Sequence, residues 1–233
     1  TIVVLIASFP YAIPWIKEQI PAILHMTHNS QEMGNGLADV LFGDYNPGGR
    51  LVQTWPKSIN HLPDMMDYNI RHGRTYMYST HRPLFPFGFG LSYTSFSYGK
   101  IRFRHQQTTE SGQQETDHFH PGKVRMNSQS PDEKVDICID VTNSGDITGD
   151  EVIQLYVQFP GSAIQRPIKE LKGFKRLTLA PGEQKTAVIP LMVSDCAYWS
   201  SVFRKWTIET GEIGVMIVSS SLDIKAEGII EII

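Results

Sequence analysis

Two acidic side chains on one short segment are the first candidates for chemistry in this sequence. Glu32 and Asp39 lie within Gln31–Arg50, QEMGNGLADVLFGDYNPGGR. Two carboxyl groups can act as acid and base on one bond when both reach it. On a helix this pair is about 10 Å apart along the axis, which is too wide for that role. We therefore expect Glu32 to serve the helix N-terminus and Asp39 to be structural.

Side chains at the rim of a substrate pocket form a second class of candidates. Glu32 has this alternative, because loops at the carboxyl ends of strands border ligands in open α/β sheets. One loop gathers cations and aromatic rings that could hydrogen-bond and stack on a sugar, with Arg74 and Tyr76 as its rim candidates. The alternative is that the cluster clamps its own loop onto the sheet. The cluster comprises Arg71, His72, Arg74, Tyr76 and Tyr78. Isolated tryptophans more often anchor cores than bind sugars, and both readings stay open for Trp15, Trp55, Trp199 and Trp206.

Metal and cofactor sites are not indicated by the sequence. His118 and His120 form an H-x-H pair with His105 nearby, but no cysteine or carboxylate completes a recognised zinc spacing. The FGFG string precedes no helix and is not a phosphate loop. Cys138 and Cys196 fall in different segments and are predicted to be free thiols. We therefore predict no metal and no cofactor.

Composition and charge bound the class of protein. Hydrophobic residues make up 41% and charged residues 19% of the 233 residues, as in globular domains with a substantial core. The formal net charge of −3 does not indicate a basic surface for binding nucleic acid or an anionic membrane. The apolar run Ile2–Ala7 is too short to cross a membrane and lacks the flanks of a signal peptide. Because the sequence opens directly in a strand-like run, we expect it to be part of a longer protein.

The first part of the chain predicts strands that alternate with helices. Ile2–Ala7 is a continuous apolar run, which is typical of a strand buried on both faces. Pro14 can open a helix that Pro21 ends, and the apolar run Ala22–Met26 precedes a helix near Gln31. This βαβα order indicates an α/β domain with a parallel sheet. A complete sheet of this kind needs more strands, so we expect the others to come from another segment or a partner.

The second predicted helix and the turn after it organise this part of the chain. Asn29 or Ser30 can cap the start of the helix, and Gly43 stands at its end. Asp44–Gly49 packs turn formers together, and an aromatic-rich loop region continues to Phe96. We expect this region to be ordered because it holds many large apolar rings. The apolar stripe of the helix comprises Met33, Leu37, Val40 and Leu41.

From Ser97 onward the apolar pattern changes to alternation. Val135–Val141 alternates apolar and polar residues before a turn, and similar runs follow at 153–157 and 187–191. Trp206–Ile208 and Ile213–Ile217 flank a Thr-Gly turn and predict a hairpin. Short strands with regular turn signals indicate an immunoglobulin-like β-sandwich.

A polar segment interrupts this pattern between His105 and Lys134. Few of its residues are apolar, so we expect that it cannot bury enough surface to offset the entropy of ordering it. We therefore predict a mobile insertion. Its larger apolar residues are Phe119, Val124 and Met126.

Several strings, in order, resemble glycoside hydrolase family 3. They are LADVLFGDYNPGGRL, TWPKS, GRTYMY and PLFPFGFGLSYTSF, followed by VTNSGDITGDEVIQLYV and ELKGFKRLTLAPGEQ. The resemblance implies that residues 1–96 form the C-terminal part of an α/β sandwich domain. It also implies that residues 97–233 form a fibronectin III-like β-sandwich with the polar insertion at about 105–134.

The resemblance implies the C-terminal portion of a retaining, exo-acting β-glycosidase for terminal β-linked glucose or xylose. In the family, the nucleophilic aspartate lies on an N-terminal barrel domain, and the acid/base glutamate precedes the segment at which this sequence starts. Neither motif can be matched here, so no catalytic residue is assigned and the chain alone is expected to be inactive. The expected partners are an oligo- or aryl-β-glycoside and the N-terminal barrel, and the expected location is periplasmic or secreted. The alternative is a non-catalytic structural or carbohydrate-binding module.

Overall fold

A computed structural model describes residues 1–105 and 119–233 of the chain. These residues divide into two compact units. The first contains Thr1–Tyr93 and Ser220–Leu222, and the second contains Thr94–Ser219 and Asp223–Ile233. The division falls shortly before the predicted boundary between residues 96 and 97, which would cut through the first strand of the second unit.

The first unit begins with the predicted βαβα order. Strand β1 (Ile2–Ile6) leads through helix α1 (Pro14–Gln19) to strand β2 (Ala22–Met26), and helix α2 (Met33–Phe42) follows. The two strands pair in parallel along their whole length. The prediction of an α/β unit with parallel strands is therefore confirmed.

Strand β1 is more exposed than its apolar sequence predicts. Ile2 is 50% exposed and Ile6 is 43% exposed, so the expectation of a strand buried on both faces is wrong for this chain. In the described residues β1 and β2 form a sheet of two strands. The side chains of a strand point to the two faces of its sheet, and a sheet of two strands offers little surface on which a second layer can pack to cover them.

The two ends of α2 differ in how well the sequence predicts them. Gly43 has a φ of 86°, and its N–H donates to the Val40 carbonyl at 3.3 Å. Glycine adopts this left-handed conformation without steric cost, and the predicted helix end is confirmed. The prediction of a cap from Asn29 or Ser30 is wrong. The N-cap position falls on Glu32, whose side chain makes no capping hydrogen bond.

The aromatic-rich region of the first unit folds around one buried tryptophan. Besides loops, this region contains a 3₁₀ turn (Ile59–His61) and the short helix α3 (Thr75–Tyr78). Trp55 is only 2% exposed. Three rings approach it edge to face at centroid distances between 5.0 and 6.0 Å: His25, Phe85 and Tyr11.

Backbone hydrogen bonds close this region onto the turn after α2. Leu51 N–H donates to the Phe89 carbonyl, and Gly88 N–H donates to the Leu51 carbonyl, both at 2.8 Å. The chain at Gly90 runs so close to this turn that an added Cβ would lie 2.4 Å from the Gly49 carbonyl oxygen. A side chain at residue 90 would therefore force the two backbone segments apart.

A turn that is distant in sequence also belongs to the first unit. Ser220–Leu222 is assigned to it, and Ser221 N–H donates to the Phe87 carbonyl at 2.8 Å. Ser221 is only 1% exposed. This contact gives the backbone N–H the partner that a buried donor needs.

The second unit is a β-sandwich, as the alternating pattern predicts. In the described residues, one sheet has the order β10-β7-β4-β5, with β3 also paired to β7, and the other has the order β6-β14-β13-β8-β9. Strands β11 and β12 form a separate hairpin. The strands are β3 (Phe96–Tyr98), β4 (Arg102–His105), β5 (Phe119–Pro121), β6 (Lys123–Met126), β7 (Lys134–Asn143), β8 (Gly149–Gln158), β9 (Glu170–Leu179), β10 (Gln184–Met192), β11 (Tyr198–Ser200), β12 (Lys205–Thr207), β13 (Gly211–Ser220) and β14 (Asp223–Ile232).

Strand β7 carries the centre of the core. Its alternate residues Val135, Ile137, Ile139 and Val141 are all 0% exposed and belong to one hydrophobic cluster with side chains from both sheets. This confirms the strand and its apolar core face. The expectation of a half-buried strand is wrong for its middle, because Asp136 and Cys138 on the other face are only 3% and 1% exposed.

The prediction of a mobile insertion from His105 to Lys134 is wrong where the structure describes it. β5 pairs with β4, and β6 pairs in parallel with β14. Val124 is 5% exposed and Met126 is 1% exposed, so both belong to the core. Two well-placed apolar residues suffice because the sheet supplies the remaining contacts. Residues 106–118 of the predicted insertion lie outside the described part.

The predicted hairpin across the Thr-Gly turn is also wrong. Trp206 on β12 lies opposite Trp199 on β11, whereas β13 pairs with β8. Both pairings satisfy the same alternation, and only long-range packing decides between them.

Candidate functional site

A cavity of about 420 Å³ in the first unit is the candidate site. We call it the loop cavity; its lining comes from Pro10 and from parts of the segments 52–63 and 73–87. Its volume lies within the range of small-molecule sites, roughly 300–1,000 Å³. Of the predicted rim residues, Arg74 and Tyr76 line it and Glu32 does not.

Arg74 shapes one wall through bonds to the backbone. Its Nε donates to the Asp67 carbonyl at 2.8 Å, and its Nη2 donates to the carbonyls of Asp64 and Asp67. The side chain thus holds the turn at residues 64–67 in place. These contacts lie within the loop region, so they stabilise the loop itself and do not attach it to the sheet as the alternative expectation required.

The carboxylate of Asp67 is hydrogen-bonded to another residue of the same loop. Asp67 Oδ2 lies 2.6 Å from His72 Nδ1. This hydrogen bond, with one from the Asn69 backbone N–H, lowers the pKa of Asp67. His72 and Arg71 belong to the predicted cluster but do not line the loop cavity.

Aromatic rings form the apolar part of the lining of the loop cavity. Tyr76 packs against Phe87 with ring centroids 5.1 Å apart and planes tilted by 37°. Thr75, directly before Tyr76, has a φ of 60°, an uncommon conformation for a β-branched residue. Strained residues of this kind often lie at ligand sites, and Thr75 lines the loop cavity too.

The structure adds a histidine pair that the sequence analysis missed. His61 and His81 stack with centroids 4.4 Å apart and planes 9° apart, and both line the loop cavity. His61 Nδ1 and Thr54 Oγ1 are shielded from solvent and have no hydrogen-bond partner in the described structure. The sequence gives one cue, because each histidine lies near a cation, Lys57 or Arg82, within a Pro-rich loop.

The other predicted carboxylates lie apart from the loop cavity. Glu32 stands at the exposed start of α2, where its carboxylate accepts a hydrogen bond from the Asn35 amide. Asp39 is exposed on the same helix, and its carbonyl accepts the Tyr45 N–H at 3.0 Å. In the described residues neither carboxylate lines the loop cavity.

The remaining candidates lie in the second unit. Cys138 and Cys196 are both buried and free, which confirms that they are not paired. Burial raises the pKa of the Cys196 thiol to about 11. His105 and His120 have ring centroids 6.3 Å apart, and His118 lies outside the described residues.

In the described residues, no group of three or more His, Cys, Asp or Glu side chains is arranged to hold a metal ion. Within the same residues, no helix has the length and apolar character needed to span a bilayer.

Family comparisons assign both units. Residues 1–93 match the family model of the glycosyl hydrolase family 3 C-terminal domain, and residues 151–221 match that of a fibronectin type III-like domain. The chain belongs to glycoside hydrolase family 3. The resemblance seen in the sequence strings, and the α/β-plus-sandwich fold class that it implied, are confirmed.

Similar proteins include enzymes with two related names. A β-glucosidase of Rhizobium radiobacter is 35% identical, with 97% of this chain and 27% of the relative covered. A β-xylosidase of Formosa agariphila is also 35% identical, with 94% of this chain and 28% of the relative covered. The solved structure of a β-D-glucoside glucohydrolase from Trichoderma reesei matches with a TM-score of 0.81 at 28% identity, with 100% of this chain and 33% of that chain covered. The chain therefore spans about a third or less of each.

Proposed function

We propose that this chain is the C-terminal portion of a retaining, exo-acting β-glycosidase that hydrolyses terminal β-linked glucose or xylose. The observation that carries the proposal is the match of residues 1–93 to the family 3 C-terminal domain and of residues 151–221 to a fibronectin type III-like domain, together with relatives named β-glucosidase and β-xylosidase. These relatives are far longer than the chain, with 27% and 28% of their lengths covered. The activity is therefore proposed for the whole enzyme.

We further propose that the 233-residue chain is inactive alone. Retaining hydrolysis needs two carboxyl groups about 5–5.5 Å apart on either side of the bond. In the described structure, none of the residues that line the loop cavity is Asp or Glu. In our proposal both catalytic carboxylates belong to segments outside this chain.

Arg74 and Tyr76 remain proposed rim residues of the whole enzyme. Their shared position in the loop cavity supports the proposal, because a ring wall beside hydrogen-bonding groups suits a pyranose. Glu32 stays a prediction at a separate place on α2.

Hydrolysis of nitrophenyl β-glucoside and β-xyloside tests the function. The chain would be assayed alone and fused to the N-terminal segment of the Rhizobium radiobacter relative. We expect background release from the chain and turnover from the fusion, since a general acid alone contributes about 10²–10⁴-fold. Turnover by the chain alone that is lost in Glu32→Gln but kept in Asp39→Asn would overturn our placement of the catalytic groups.

A non-catalytic carbohydrate-binding module is the second candidate, and one observation favours it. Trp199 and Trp206 are 55% and 68% exposed, with ring centroids 5.8 Å apart on the β11–β12 hairpin. Exposed tryptophans present apolar faces on which sugar rings can stack. Electrophoresis through gels that contain soluble β-glucan or xylan tests this function. Retardation that Trp206→Ala removes and Trp15→Ala keeps would support it, since Trp15 is similarly exposed at 67%. Unretarded migration would exclude it.

A further inference from the structure

We propose that the loop cavity binds the oxyanion, carboxylate or phosphate, of a small ligand. Lys57 and Arg82 would be its charged partners, and the His61–His81 stack would form the adjoining wall. The proposal does not depend on hydrolysis, because binding is a property of residues in this chain.

The positive charge of the cavity lining is the first observation that supports an anion site. Lys57, Arg74 and Arg82 all line the loop cavity, while the described lining holds no carboxylate. Arg74 lies near Asp67 and lowers the pKa of that carboxyl, so its charge is partly balanced. Lys57 and Arg82 form no ion pair within the described residues. A lining that holds cations and no carboxylate has a positive potential, which favours a bound anion.

Two polar atoms without hydrogen-bond partners are the second observation that supports the site. Thr54 Oγ1 and His61 Nδ1 are shielded from water and make no hydrogen bond in the described structure. Such atoms are uncommon in folded proteins, and each one left unpaired costs about 1–3 kcal/mol. Both atoms belong to residues of the lining, and a hydroxyl or an imidazole nitrogen can hydrogen-bond an oxyanion or a ligand hydroxyl once its side chain rotates toward the cavity.

The apolar part of the lining sets the size and kind of ligand. Tyr76 and Phe87 provide a ring wall, and Pro10, Leu62 and Pro83 contribute further apolar surface. A cavity of about 420 Å³ accommodates a single ring that bears a charged group. An acidic or phosphorylated monosaccharide has this chemistry, with an apolar ring face and one oxyanion.

Calorimetric titration of the whole chain tests the proposal with four probes: inorganic phosphate, glucose 6-phosphate, glucuronate and glucose. We expect both charged sugars to bind at least tenfold more tightly than glucose. If phosphate binds as tightly as glucose 6-phosphate, the oxyanion alone is recognised. If it binds more weakly, the ring contributes. Both results support the proposal, whereas glucose binding equal to that of glucuronate overturns it.

Matched substitutions locate the site. Lys57→Gln and Arg82→Gln each remove one cation at an exposed position and should weaken binding at least fivefold, while Lys57→Arg should retain it. Arg71→Gln is the control, because Arg71 is exposed in the same loop region and lies outside the lining. A loss in Arg71→Gln equal to that in Arg82→Gln would show general attraction to the surface and contradict the site. Unchanged thermal unfolding of each variant verifies the fold.

Discussion

The two units of this chain differ in how much of their apolar surface they bury for themselves. In the second, long side chains from both sheets are fully buried, among them Phe103, Ile139 and Leu155 at 0% exposure. In the first, Trp15 is 67% exposed and Phe42 is 83% exposed. Both units contain elements that follow the period of their apolar residues, such as α2 in the first and β7 in the second. A correct local pattern therefore does not ensure a closed core, which needs enough layers to cover both faces of a sheet.

Truncation of one isoleucine in each unit gives the largest expected difference in the free energy of unfolding. Ile139→Ala removes a fully buried side chain from β7 and should lower the free energy of unfolding by about 2–5 kcal/mol. Ile2→Ala on β1 truncates the same side chain at 50% exposure and should cost less than about 1 kcal/mol. Urea unfolding followed by circular dichroism measures both. Equal losses would show that β1 is buried in solution and would break the comparison.

Two asparagines sharpen the contrast in polar contacts. The Asn143 amide, 0% exposed, donates to the carbonyls of Ile147 and Leu179 and accepts from Thr94 Oγ1. Asn143→Ala leaves these groups buried without partners, so we expect a loss of about 3 kcal/mol.

The matched variant lies in the first unit. Asn46 Oδ1 accepts from Tyr93 N–H at 2.8 Å and from the Ser92 hydroxyl at 3.0 Å, in a less buried setting where water can replace it. Asn46→Ala should cost about 1 kcal/mol by urea unfolding. A larger loss than in Asn143→Ala would mean that the first unit depends on its loop contacts more than its exposure indicates.

Alkaline titration of Cys196 probes the core of the second unit. Its thiol has a pKa of about 11 in the folded state, whereas the unfolded thiol has a pKa of about 8.5. The unfolded state thus binds fewer protons between these values, and stability falls as pH rises through this window, by about 3 kcal/mol. Cys196→Ala should remove that part of the slope. Identical pH profiles for wild type and Cys196→Ala would contradict the burial of the thiol.

Two glycine substitutions in and directly after helix α2 have the smallest expected effects on stability, and these effects have opposite signs. Gly36 lies inside the helix with open space around it, so Gly36→Ala should stabilise by about 0.5–1 kcal/mol. Gly43 ends the helix at a φ of 86°, so Gly43→Ala should destabilise by about 1 kcal/mol. Thermal unfolding of the two variants checks the signs. Two shifts in the same direction would show that the helix end is not left-handed.

Sequence patterns predict the parts of this fold in which neighbours along the chain decide the structure. The alternation in β7 and the glycine after α2 are of this kind, because period and backbone freedom suffice. β6 was not predicted, because its two apolar residues indicate a strand only when β14 is known to lie beside them. β12 was paired with the wrong strand for the same reason.

The candidate site was predictable only in part. Arg74 and Tyr76 stood out as a cation and a ring close together in sequence, and both line the loop cavity. His61 and His81 did not stand out, because a path through the loop region brings their rings together. Glu32 is predicted both for the helix N-terminus and as a rim candidate, and it lies exposed at the start of α2, outside the lining of the loop cavity.

The assignment of Ser220–Leu222 to the first unit has a consequence for modularity. The polypeptide leaves the first unit at Tyr93, returns to it at the tip between β13 and β14, and leaves again. No single scission can release either unit intact, and a gene fusion that exchanges only residues 1–93 would separate the Phe87 carbonyl from its native donor on Ser221. An intact first unit therefore needs two separate stretches of the chain, 1–93 and 220–222, with the greater part of the second unit encoded between them.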